Sequence, residues 1–197
     1  MSLLDQPVLV VNQKAKLIEV TNEYVISDGD GNKIGAVREI GQSKARKLLR
    51  IVSNVDQYLT HRLEVVDASG TKVLALTRPA KIFKSTIVVE DASGTEVGKI
   101  VQQNMMGKIR FSLEVDGTTV GSINGENWRA WNFNVQDASG TEIARITKKW
   151  EGILKAAFTT ADNYVVQIHM PLSDPLRSLV VAAALGIDTA LKQDDKT

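Results

Sequence analysis

The chain has 197 residues, of which 43% are hydrophobic, and its 24 Lys and Arg nearly balance 23 Asp and Glu. That length fits one domain with a real core, and a net charge of +1 gives no global case for nucleic acid or an acidic partner. The absence of cysteine excludes disulfides, thiolate metal sites, a Cys nucleophile and S-palmitoylation; it fits a reducing, cytoplasmic setting.

The N-terminus, Met1 to Pro7, has no basic stretch leading into an apolar run, so no signal peptide is expected. The first hairpin is predicted at Ser27-Asp28-Gly29-Asp30-Gly31-Asn32, between Tyr24-Val25-Ile26 and Ile34-Gly35-Ala36-Val37. The pentapeptide Asp-Ala-Ser-Gly-Thr then occurs at 67–71, 91–95 and 137–141, each time between apolar-alternating runs. Asp116-Gly117-Thr118 and Asp162-Asn163 fit the same frame. In such a turn Asp bonds the backbone ahead of it, and Gly takes the positive φ of a tight reversal. Alternation puts one strand face on a core and the other in water. Six hairpins, with turn aspartates 28, 67, 91, 116, 137 and 162, predict about twelve strands.

Ser173-Asp174-Pro175 reads as a helix start, a capping side chain followed by Pro. The run from Leu176 to Ile187 has no polar face in its middle, so this helix must be surrounded on all sides. A barrel of twelve strands is too wide for its own side chains to fill. The predicted fold is therefore all-β, a closed antiparallel barrel around a central apolar helix at about 174–191. A single domain covers 1–191, and 192–197 is a solvated tail. The uncharged run Ser178–Ile187 has ten residues, whereas crossing a bilayer takes about 20; no transmembrane span is expected.

Chemistry-bearing constellations are sparse. Asp28, Asp30, Asn32 and Glu39 match four positions of a calcium loop, but Lys33 stands where that loop needs glycine and the flanks are strands. His169 falls on a water face, and His61 shares a face with Leu63 and Val65, a rim or core position. No serine has a nucleophile-elbow context. Trp128, Trp131 and Trp150 read as packing rather than a platform for bases. No cofactor, catalytic residue or nucleic-acid partner is expected.

Charge distribution is more informative. If the barrel is up-and-down, the Asp turns share one end and the segments between hairpins the other. Those segments carry Arg38, Lys44, Arg46, Lys47 and Arg50, then Lys72, Arg78, Lys81 and Lys84, then Arg145, Lys148, Lys149 and Lys155. A basic end can dock on anionic lipid at about 1 kcal/mol per Lys or Arg near the surface.

Lys148-Lys149-Trp150-Glu151-Gly152, Ala157-Phe158-Thr159, Ala161-Asp162-Asn163-Tyr164, Gln167, Pro171-Leu172 and the terminal apolar helix resemble the end of the phospholipid scramblase family. Arg78-Pro79 and Leu9-Val10-Val11-Asn12-Gln13 fit the same family. The resemblance implies the twelve-stranded barrel around a central helix that the Tubby and LURP-one families share. It also implies lipid scrambling and a calcium segment before the helix. Asp162 and Asp174 are the carboxylates left there, and Thr160 stands at the first acidic position. The expectation is a non-enzymatic lipid- or phosphoinositide-binding barrel, peripheral at a membrane. Its lipid-binding residues would be Arg38, Lys44, Arg46, Lys47, Arg50, Arg78, Lys81, Lys84, Lys148 and Lys149. The alternative is a soluble scaffold or regulatory domain that binds another protein.

Overall fold

Period-two alternation becomes twelve strands, and they close on themselves. The computed structural model describes residues 2–12, 23–40, 60–79, 85–104, 109–127, 132–148 and 163–191. The strands are β1 (Val8–Asn12), β2 (Glu23–Ser27), β3 (Lys33–Ile40), β4 (His61–Asp67), β5 (Lys72–Arg78) and β6 (Thr86–Asp91). They continue as β7 (Glu96–Gln102), β8 (Arg110–Val115), β9 (Thr118–Asn127), β10 (Asn132–Asp137), β11 (Glu142–Thr147) and β12 (Asn163–Ile168). Every strand pairs with its neighbours in the chain, and β1 closes the ring on β12 through Val10↔Val165. The barrel is antiparallel and up-and-down, as the charge argument required.

Local chemistry explains the hairpins. In 67–71 the Gly70 N–H donates to the Asp67 carbonyl at 3.0 Å, and the Asp67 N–H donates to the Thr71 carbonyl at 2.9 Å. Gly70 has φ +85°. This is a type I turn closed by a left-handed glycine, and a separate register shift follows on the strands between Val65 and Val66. The other two pentapeptides and 28–32 repeat it. Asp116 and Gly117 both have positive φ, the two-residue reversal suited to twisted strands.

The sixth turn needs correcting. β12 starts at Asn163 and runs towards the Asp turns, so the connection ending at Asp162 enters from the opposite end. The sixth antiparallel pair is β12 with β1, the two ends of the chain. Each covers the other's open edge, which a closed ring requires. The strand expected at 156–160 lies outside the described residues, and the ring closes without it.

The lumen holds helix α1 (Leu176–Leu191). At 1.5 Å per residue its 16 residues span about 24 Å. Six-residue strands such as β6 and β8 rise about 20 Å. The helix thus runs the height of the barrel, and its residues Ser178 to Leu185 are all buried. Leu9, Ile26, Leu76, Ile100, Phe111, Phe133 and Tyr164 surround it from seven strands spaced around the ring. A Cβ on Gly186 would sit 2.8 Å from Ile87 Cδ1, so the helix is as thin there as a residue permits. The outer wall is divided. Over β12, β1 and β3 the outward Val165, Val10 and Ala36 are also buried. Over β8 to β10 the outward residues are Ser112, Ser122, Asn124, Asn134 and Gln136, tied by amide and hydroxyl bonds such as Asn124 Nδ2 to Ser122 Oγ at 3.1 Å.

Candidate functional site: the two ends of the barrel

The up-and-down order sorts charge by chain direction. Even-numbered strands run towards one end, where the turns at 28, 67, 91, 116 and 137 lie. The Leu3–Asp5 turn and the start of α1 are at that end too, adding Asp5 and Asp174. Lys72, which opens β5 beside the Asp67 turn, belongs to this acidic end rather than to the basic one expected for it.

The carboxylates of Asp28, Asp67, Asp91 and Asp137 are each engaged by their own loop. Asp67 Oδ1 accepts from the Ser69 N–H at 2.9 Å, the Ser69 hydroxyl at 2.6 Å and the Thr71 N–H at 3.0 Å. Asp91 and Asp137 repeat the pattern with Ser93 and Thr95, and with Ser139 and Thr141. In the degenerate copy Asn32 replaces Thr, and Asp28 Oδ1 accepts from the Asp30 and Asn32 N–H groups at 2.9 Å. The Asp28-to-Glu39 string is therefore a hairpin turn followed by a strand. Glu39, near the far end of β3, is about 20 Å from Asp28 at the rise of a strand.

Asp174 works as a helix cap. Its Oδ1 accepts from the Ser178 N–H at 3.2 Å and the Ser178 hydroxyl at 2.6 Å, and Oδ2 accepts from Arg177 at 2.8 Å. Burial pushes its carboxyl up, but the Ser178 and Arg177 bonds outweigh that and hold it below its ordinary value. Asp162 lies outside the described residues. Among the described residues no three His, Asp or Glu side chains are grouped as a metal site.

At the opposite end the strands lead into the segments 13–22, 41–60, 79–85, 103–109, 128–131 and 148–162. Lys44, Arg46, Lys47, Arg50, Lys81, Lys84 and Lys149 belong to them and lie outside the described residues. Arg38 and Lys148 are exposed at this end. Arg38 stands in register between Glu23 and Glu64. Arg78 points inward and is 3% exposed, so it is not part of the solvent-facing set. Sequence reasoning missed two exposed cations here, Arg62 on β4 and Arg110 at the start of β8. Their alternation with His61 and Phe111 was the signal that could have found them. Beside Arg62 in register is Ile40, 37% exposed.

The inner rim of this end is polar. His61, Arg78, Ser85 and Gln102 are buried there. His61 Nδ1 is 3.0 Å from Glu39 Oε1, and both side chains are largely enclosed. His61 is thus a satisfied rim residue, as its position beside Leu63 suggested. His169 is on the water side and reaches Glu142 Oε1 at 3.2 Å. Glu142 also takes two 2.8 Å bonds from Arg145, whose Nη1 bonds Glu126 at 2.8 Å. The Arg145 guanidinium, foremost, holds the Glu142 carboxyl below its ordinary value. This network clamps the outer faces of β9 and β11 to the end of β12.

Among the described residues no helix is long and apolar enough to cross a membrane. Comparison with known proteins finds the family described as Scramblase over residues 1–191. The chain is similar to "Altered inheritance rate of mitochondria protein 25" of Saccharomyces cerevisiae, with 26% identity over 84% of this chain and 59% of that protein. It is similar to human phospholipid scramblase 1, with 23% identity over 95% of this chain and 63% of that protein. It therefore spans about three fifths of the length of these relatives. A solved Arabidopsis thaliana structure shares the fold at TM-score 0.56, with 12% identity and 94% of both chains covered.

Proposed function

Because the chain belongs to the scramblase family, we propose that it is a non-enzymatic lipid-binding module that docks peripherally on anionic membrane. The docking end is the one opposite the Asp turns. What supports this reading is the polarity of the barrel: five Asp turns at one end, while at the other the strands lead into segments whose sequence is rich in Lys and Arg. Exposed Arg62, Arg110 and Lys148 add to the basic end, and Ile40 gives it an apolar contact for the headgroup boundary.

Two physical arguments favour docking over insertion. A barrel that spans lipid is apolar outside and polar or wet inside. This one has an apolar lumen filled by α1 and a hydroxyl- and amide-bearing wall over β8 to β10. Drawing α1 out to meet the bilayer would expose the core it fills. Related proteins named phospholipid scramblases point to phospholipid as the ligand class.

The test is sedimentation with liposomes. Binding should be strong to anionic vesicles, weak to neutral ones, and should fall as salt rises. Replacing Lys44, Arg46, Lys47 and Arg50 by Ala should weaken partitioning by up to roughly two to three orders of magnitude, at ~1 kcal/mol each. Ile40→Asp should weaken it several-fold. Equal binding to both vesicle types would refute the docking model. In a labelled-lipid assay, with or without calcium, no transfer between leaflets is expected.

A further inference from the structure

A second candidate lies at the acidic end. Where the Leu3–Asp5 turn crosses beside the end of β12, a half-open cavity of about 440 Å³ is lined by Leu4, Pro7, Ile168, Met170 and Leu172, with Asp5, His169 and Arg177 among its polar residues. That volume suits a small ligand. Met170 is 42% exposed, and it and Ile40 are the two exposed large hydrophobic residues among those described.

The charge around the cavity selects the ligand. Arg177 is neutralised twice, by Asp5 and by Asp174. Asp5 meets Arg177 through Oδ1, and its Oδ2 makes no hydrogen bond among the described residues. The Asp turns add negative potential at the same end. An anion is disfavoured there, and the free carboxylate oxygen offers an acceptor to a cation. No Phe, Tyr or Trp lines the cavity, so a quaternary ammonium would find no cation–π cage. A primary ammonium can donate to Asp5 directly.

We propose that this cavity binds an amphiphile with a primary ammonium group, its apolar body against Met170, Pro7 and Leu172 and its ammonium on Asp5. This goes beyond the docking reading and uses the opposite end of the barrel.

Octylammonium is the probe, with octanoate, octanol and octyltrimethylammonium as controls. The methyl shift of Met170 is the readout, and Met1, Met105 and Met106 are internal references. The expected result is a saturable shift of Met170 alone with octylammonium. Octyltrimethylammonium and octanol should bind more weakly, and octanoate should not bind. Asp5→Asn should weaken octylammonium about tenfold, as loss of a charge-assisted hydrogen bond does, while Asp5→Glu should retain it. Equal binding of octanol or octanoate, concerted shifts of all four methionines, no saturable shift, or an Asp5→Asn variant of unchanged affinity would each overturn the proposal.

Discussion

In the Asp-Ala-Ser-Gly-Thr turn each polar residue has a defined partner. Ser69 Oγ donates to Asp67 and stands 2.9 Å from Thr71 Oγ1, so the two hydroxyls and one carboxylate form a closed set. The hydroxyls of Ser69, Ser93 and Ser139, foremost, hold the carboxyls of Asp67, Asp91 and Asp137 below their ordinary value. A depressed folded value stabilises the fold fully above the unfolded value, and that contribution is lost as pH falls through the folded one. The urea midpoint should therefore stay level above about pH 5 and decline below about pH 4. Changing the three aspartates to Asn should lower the midpoint at pH 6 and flatten its decline in acid; an unchanged acid slope would count against the turns as its source. These turns were legible because every bond in them lies within five residues. Glu39 and His61 were not, because their contact joins different strands across 22 positions. Arg78 read as a surface cation because it is charged, although its alternation with Leu74 and Leu76 puts it on the inner face of β5.

At the scale of the element, α1 shows how composition sets packing. Ala182, Ala183 and Ala184 are buried although they fall on different faces of the helix. A helix apolar all round was readable as one enclosed all round. Its start was readable from Asp174 and Pro175, although the role of Ser178 as the capped residue emerges only from the folded bonds. Close packing implies that added volume is poorly tolerated. Ala183→Leu should destabilise the fold by about 1–3 kcal/mol in urea unfolding. A neutral result would mean that the lumen has slack beside the helix.

For the whole molecule, the strand count and closure followed from hairpins plus a helix that needed enclosing. The sequence pattern put the Asp162-Asn163 turn at the wrong end, because between apolar runs it looks like any other turn. Which strands meet is a property of the ring, and β1 is brought to β12 from the far end of the chain. Helix and barrel should be interdependent. A chain cut before Ser173 should fail to give a monomeric barrel and should bind hydrophobic dye; a soluble, cooperatively melting product would show that the wall stands alone. The closing pair has a kinetic consequence. Eleven of the strand pairings join consecutive strands, whereas Val10 and Val165 are about 155 residues apart. Relative to a five-residue reversal, bringing such distant ends together costs about 3 kcal/mol more in chain entropy. That seam is therefore expected to zip last in folding and to part first in unfolding. Since α1 follows β12 directly in the chain, the helix must find its place before or as the seam shuts, making the β1–β12 edge the door through which the barrel is filled.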